Sequence, residues 1–294
     1  LKSPLPIRDG VSASRQFLPA GNLRSIADYL LASFPDVGAA TWVARMHKGD
    51  VVDENGMRIR PDDAYRAGTW IFYYRELEGE TPIPFEEIIL FQDEHLLVVD
   101  KPHFLPVIPT GPYLHQTLLV RLKRKLQLEH LTPIHRLDRE TAGVMLFSHN
   151  PDSRGNFQSM FQKRGMSKVY EALAPPLQGR EFPLTHRSRI VEGEPFYLMR
   201  EIEGEPNSET EIEILENRGD AALYQLRPVT GRQHQLRVHL AGLGIPIVND
   251  RFYPKLIRGR ADDFSQPLKL LARSIAFEDP YTGRERCYRS ERVL

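Results

Sequence analysis

His135-Arg-Leu-Asp138-Arg-Glu-Thr-Ala-Gly143 runs straight into the apolar stretch Val144–Phe147. The apolar run reads as a buried strand, so the polar residues before it form a loop at the edge of the core. Asp138 sits in that loop among His135, Arg136 and Arg139. Nearby positive charge lowers a carboxyl pKa, so Asp138 is expected to stay ionised, as a carboxylate nucleophile or base must. On these residues alone, a structural ion pair between Asp138 and a neighbouring arginine stands equally open.

Working outward, two further segments bear on that choice. Lys168-Val-Tyr170 opens a strand that continues to Ala174, and Gly231-Arg-Gln-His-Gln-Leu-Arg-Val-His-Leu240 reads as the start of a helix. Gly244–Asp250 (GIPIVND) follows, and Lys101-Pro102 lies upstream after an apolar strand. In this order and spacing, the segments resemble the RluA-type pseudouridine synthase family, whose members act on ribosomal large-subunit and transfer RNA. The likeness covers roughly residues 85–294. Any one motif would be a weak signal; three in order make a strong one.

Bulk properties bound the rest. A chain of 294 residues with 41% hydrophobic and 27% charged residues suits a soluble globular protein of one large core or two domains. Its one cysteine, Cys287, excludes an internal disulfide and a multi-cysteine metal site, and suggests a reducing, cytoplasmic setting. No run of eighteen apolar residues and no signal-peptide core is present, so no membrane association is expected. Basic and acidic residues balance at 39 each. An RNA-binding chain with no net charge must concentrate its cations, and clusters stand at 121–125, 136–139, 163–168, 251–260 and 284–292. Acidic residues gather between Glu192 and Glu216, a segment expected to face away from the RNA.

The N-terminal residues, to about position 20, carry proline and serine without a period and read as an arm. Leu23, Ile26, Ala27, Leu30, Leu31 and Phe34 follow helical spacing, and Ala40–His47 reads as a second helix. Glu54-Asn55-Gly56 between short apolar runs signals a hairpin, and Thr69–Tyr74 a further strand. This order resembles the S-four-like RNA-binding domain, named after a ribosomal small-subunit protein. The likeness is degenerate, because only Arg45 and Lys48 supply basic residues to the second helix. A Pro/Gly-bearing linker at 76–84 then divides the chain into residues 1–80, an arm and S-four-like module, and residues 81–294, a catalytic domain.

In the second part strands mostly adjoin strands, with helices at Thr117–Leu126, Asp152–Gln162 and Arg232–Leu243. Residues 180–206 read as a polar loop or weak hairpin. That pattern predicts an α+β fold with a mixed, largely antiparallel sheet flanked by helices, beside a small α/β N-terminal module. On the 232–243 helix, His234 and Arg237 are placed on one face, with Leu236, Leu240 and Leu243 on a buried one.

The resemblance implies an isomerase that needs no cofactor and no metal, acting on uridine in structured RNA. Large-subunit ribosomal RNA is the expected substrate, because an S-four-like domain fits those members better; transfer RNA is the alternative. Asp138 is the implied catalytic carboxylate, either attacking the sugar or removing one of its protons to give a glycal. Tyr170 is implied to stack on the target uracil and assist proton transfer. A base role would need its pKa brought below the ordinary value of about 10. Arg237 is implied to hold Asp138. Arg136 would contact RNA and fill the space left by the extruded nucleotide. His135, Arg139, Lys168, Arg232, His234 and Lys101 are further RNA-contact candidates, and a monomer is expected. Three positions depart from the family pattern: Ala142 stands for serine, and Phe104 and Asn249 stand for glycine. The rival readings are a degenerate RNA-binding or ribosome-assembly protein, a kinase and a metalloenzyme. Intact Asp138, Tyr170 and Arg237 oppose the first. The absence of a Gly-rich loop and an Asp-Phe-Gly motif opposes the second, and the absence of His-Glu-x-x-His the third.

Overall fold

The computed structural model describes residues 2–77, 79–163, 165–257 and 262–294. The chain forms two compact units. One comprises Leu1–Thr81, Pro109–His115 and Val120–Glu129; the other comprises Pro82–Ile108, Gln116–Leu119 and His130–Leu294.

In the first unit, β1 (Ser14–Phe17) lies inside the stretch expected to be an unstructured arm. It pairs antiparallel with β3 (Trp70–Tyr73), which also pairs with β2 (Val51–Asp53). This pairing bridges more than fifty residues of chain, so no local period reports it. Helix α1 (Ile26–Ser33) starts at a capping box. The Ser25 hydroxyl accepts the Asp28 N–H at 3.1 Å, and the Asp28 carboxylate accepts the Ser25 N–H at 3.1 Å. Helix α2 (Ala39–Lys48) buries Trp42 and Met46, with Trp42 edge-on to Tyr73 at 5.0 Å. Its cations are engaged internally. Arg45 is buried with Glu76 at 3.7 Å, and Lys48 reaches Asp50 and Glu76, each at 3.3 Å. The Asn-Gly hairpin is present, with Ile59 N–H donating to Val51 O at 3.0 Å. The unit also takes in chain beyond residue 80: Leu114 and Val120 share an apolar cluster with Val11 and Leu77.

The second unit is built on one sheet. Its strands are β4 (Ile88–Gln92), β5 (Leu96–Lys101), β6 (Thr132–Pro133), β7 (Ala142–Ser148), β8 (Met166–Ala174), β9 (Leu184–Glu192), β10 (Met199–Ile202), β11 (Ser208–Asn217), β12 (Ala222–Pro228), β13 (Leu270–Glu278) and β14 (Glu285–Arg289). Among the described residues the order is β10-β9-β11-β12-β8-β13-β7-β5-β4, with β14 beside β13 and β6 beside β7. Every pairing is antiparallel except β13 with β7. The expected α+β architecture is therefore the one observed.

The further α-helices are α3 (Leu118–Leu126), α4 (Pro151–Gln162) and α5 (Gln235–Gly242). Helix α4 begins within one residue of its expected start, with the Asn150 side chain capping Asp152 N–H at 3.0 Å and Pro151 in the first turn. β5 and β7 are buried along their whole length, as the apolar runs Leu96–Val99 and Val144–Phe147 require, and the Asp100-Lys101 end of β5 is buried with them. Residues 180–206 resolve into the β9–β10 hairpin, so the polar stretch is a pair of half-exposed strands and not a loop. Helix α5 begins three residues later than its period suggested. Arg232 N–H donates to the Gln235 side chain at 3.0 Å, and His234 adopts a left-handed conformation (φ 53°) ahead of the first turn. His234 and Arg237 therefore do not share a helical face. Phe104 and Asn249, the two residues standing for glycine, both have left-handed backbones, at φ 65° and 63°. Side chains now occupy conformations that glycine reaches without strain.

Candidate active site

Strand β13 joins two of the motifs. Its Ala272 pairs with Gly143 of β7 on one side and with Tyr170 of β8 on the other. The loop bearing Asp138 and the strand bearing Tyr170 are thus set one strand apart. Gly143 permits this close approach. Its φ is 117°, and a Cβ there would stand 2.2 Å from the carbonyl oxygen of Ala272.

Arg237 projects from α5 and is 1% exposed. Nη2 and Nε donate to Oδ1 and Oδ2 of Asp250 at 2.7 and 2.8 Å, a two-pronged pair, while Nη1 donates to Asp138 Oδ2 at 3.2 Å. Glu140 lies 3.7 Å from the same Nη1. Burial works against the guanidinium charge, but Asp250, Asp138 and Glu140 outweigh it and push its pKa up. Phe252 and Tyr253 pack their rings 4.6 and 5.5 Å from the guanidinium carbon. Asp138 is partly open, its side chain 26% exposed. One face of its carboxylate is therefore held from within and another is reachable from solvent.

Asp250, the last residue of the GIPIVND run, shows no role in the sequence. It is fully buried, and its Oδ1 also accepts the N–H groups of Phe252 and Tyr253 at 2.8 and 3.2 Å. Glu140 and Tyr253 were likewise missed. The spacing from Asp250 back to Arg237 carries no local signal, since only the turn after α5 brings them together. His234 lies with Nε2 3.8 Å from Asp138 Oδ1 and with Nδ1 in a 2.8 Å hydrogen bond to the Tyr253 hydroxyl. Burial lowers its pKa, partly opposed by Asp138.

The Tyr170 phenol shifts in the direction opposite to that required of a base. Burial pushes its pKa up and the Asp138 charge adds to the effect. The group is therefore held protonated, which suits a ring that packs against uracil or donates a hydrogen bond.

The candidate RNA contacts separate into two groups. Lys101 is buried, and its ammonium donates to the carbonyl oxygens of Pro102, Leu105 and Arg139 at 3.0, 2.9 and 3.0 Å. Burial brings its pKa down to about 7, against the pull of Glu140 and Asp138. It ties the 102–105 loop to the Asp138 loop and has no donor left for phosphate. His135 also faces inward. Its Nε2 accepts the N–H of Leu146 at 3.2 Å and its ring stacks on Phe161 at 4.8 Å and 7°. Desolvation lowers its pKa to about 3. Both expectations of RNA contact are corrected, because the polar atoms of these side chains are engaged inside the fold and withdrawing them would leave buried partners unpaired. Arg139 pairs with Glu140 at 3.2 Å and closely with Asp262. Lys168 lies 4.9 Å from the centre of the Phe161 ring. Arg136 and Arg232 are exposed, and Arg232 donates through Nε to Asn207 O at 3.1 Å.

Among the described residues one group has the composition of a metal site: His186, Glu201 and His239. Their donor atoms already have partners. His186 Nε2 bonds Glu201 at 2.9 Å. His239 is bonded by Thr210 at Nδ1 and by Ser208 at Nε2, each at 2.9 Å. The group reads as a satisfied hydrogen-bond network.

The comparisons with known proteins converge. A family model described as RNA pseudouridylate synthase matches residues 95–242. An uncharacterized RNA pseudouridine synthase of Synechocystis is 29% identical over 72% of this chain and 73% of its own length. The dual-specificity RNA pseudouridine synthase RluA of Vibrio vulnificus is 34% identical over 67% of this chain and 79% of its own. Among solved structures, human RNA pseudouridylate synthase domain containing 1 superposes with a TM-score of 0.56 at 26% identity. It covers 69% of this chain and 83% of that one.

Proposed function

This chain belongs to the RNA pseudouridylate synthase family, and we propose that it isomerises specific uridines of structured RNA, with Asp138 as the catalytic carboxylate. The observation that carries the assignment is the 3.2 Å contact from a buried Arg237 to a carboxylate that remains partly open to solvent.

In the reaction the C1′–N1 bond of uridine breaks, the uracil turns, and C1′ joins C5. C5 then gives up its proton and N1 ends protonated, so no atoms are gained or lost from outside beyond exchange with water. The Asp138 carboxylate acts in one of two ways. It attacks C1′, or it takes the C2′ proton to leave a glycal. Arg237 fixes the carboxylate and is itself fixed by Asp250. Tyr170, its pKa pushed up by burial, packs on the uracil or donates a hydrogen bond to it. The exposed Arg136 and Arg232 supply phosphate contacts, and Arg136 fills the stack when the target nucleotide is flipped out.

Large-subunit ribosomal RNA is the first substrate reading, supported by the likeness of the N-terminal element order to the S-four-like domain. With Arg45 and Lys48 engaged internally, that module offers RNA less charge than its likeness suggests. Transfer RNA is the second reading, supported by two yeast relatives whose names give transfer RNA as their substrate, tRNA pseudouridine(32) synthase and tRNA pseudouridine(31) synthase. Ribosomal and transfer RNA transcribed with uracil tritiated at C5 should be assayed side by side. Wild-type protein should release tritium from at least one, and Asp138→Asn from neither. Turnover by the asparagine variant would remove Asp138 from the mechanism.

A further inference from the structure

The β9–β10 turn carries Phe196, which is 81% exposed. A phenylalanine so placed gains nothing from the hydrophobic effect in the free protein. The turn is nonetheless held in shape. Leu198 N–H donates to Pro195 O and Gly193 N–H to Leu198 O, each at 2.8 Å, and Met199 N–H donates to the Tyr253 hydroxyl at 2.8 Å. Leu198 is anchored in a buried cluster with Ile190, Val238 and Tyr253. At its tip Phe196 and Tyr197 stand out, beside the exposed Glu194.

Those rings lead to the active site. Phe196 meets Tyr197 at 5.7 Å, Tyr197 meets Phe252 at 5.9 Å, and Phe252 meets His234 at 5.6 Å. His234 is the residue 3.8 Å from Asp138. An unbroken aromatic path therefore runs from solvent to the carboxylate. Gln233 Nε2 donates to Tyr197 O at 3.3 Å, so the turn is tied to the segment bearing the exposed Arg232. The segment between Glu192 and Glu216 was expected to face away from the RNA as an acidic surface; its first turn instead adjoins the site.

We infer that Phe196 is a base-stacking residue of the substrate site, receiving an unpaired nucleobase of the RNA strand that carries the target uridine. The inference rests on the function proposed above. Its physical basis is that every base presents a π-face and that an aromatic ring on a turn held in shape stacks on it at little entropic cost. RNA is favoured over a second copy of this chain because the ring path is continuous with the reacting carboxylate.

Phe196→Leu and Phe196→Trp test it without disturbing a buried contact. The probe is whichever C5-tritiated transcript the wild type modifies, with tritium release measured from limiting to saturating RNA. Leucine should raise KM about tenfold while kcat stays within about twofold, and tryptophan should keep KM near wild type. A leucine variant with unchanged KM, while wild type turns over, would overturn the stacking role alone. So would equal losses in the two variants, or a dimer in sedimentation equilibrium that the leucine variant abolishes. No tritium release by wild type from either RNA would overturn the parent function and the stacking role with it.

Discussion

Arg237 grips Asp250 through two parallel hydrogen bonds of 2.7 and 2.8 Å, and both side chains are almost wholly shut off from water. The aspartate that the sequence motif leaves unremarked therefore binds the arginine more closely than Asp138 does, at 3.2 Å. Asp250 sets the direction in which the remaining nitrogen points.

Arg237→Lys should for that reason behave nearly as badly as Arg237→Met. An ammonium cannot reproduce the two-pronged geometry, and removing one partner leaves a buried charge unpaired. That costs about 3–5 kcal/mol. Asp250→Ala should match them in both stability and activity. Urea unfolding and tritium release would check all three, and a lysine variant with normal turnover would mean that Arg237 acts only as a charge.

Gly143→Ala should prevent accumulation of folded protein, or destabilise it by about 4 kcal/mol or more. Its methyl group would meet Ala272 O at 2.2 Å on a backbone with φ 117°. Circular dichroism of the soluble fraction would decide, and a cooperative melt near that of wild type would show that β7 and β13 can part cheaply.

His135 should make the fold sensitive to acid. Its folded pKa of about 3 lies below the ordinary 6.5 because the ring is desolvated. Between those values the unfolded chain takes up a proton that the folded chain refuses. The contribution to stability is thus complete above pH 6.5 and is lost as pH falls toward 3. Going from near neutrality to about pH 4.5, wild type should lose about 2 kcal/mol more than His135→Gln. Equal losses in urea titrations at the two pH values would show that the ring titrates normally in the fold.

How much of this was readable depends on the range of each interaction. The strands β5 and β7, the helices α1 and α4, and the Asn-Gly hairpin rest on neighbours within a few residues, and all stand close to where their residues imply. Strand β1 was missed because its partner β3 is more than fifty residues away. The start of α5 was misplaced because the Gln235 side chain closes a turn that hydrophobic spacing does not report.

The same division holds at the site. The order of motifs by itself pointed to the family, to the α+β sheet, and to Asp138, Tyr170 and Arg237 as the candidate site residues, since those depend on residue type and spacing. Only the tertiary structure decided which cations face outward. His135, Arg136 and Arg139 look alike as neighbours in a basic loop, yet one stacks on Phe161, one meets solvent and one pairs with Glu140 and Asp262. Only the fold set Asp250 behind Arg237 and Phe196 at the open end of an aromatic path to Asp138. Charge, burial and pKa belong to the surroundings of a side chain, and those surroundings are assembled from strands far apart in the chain.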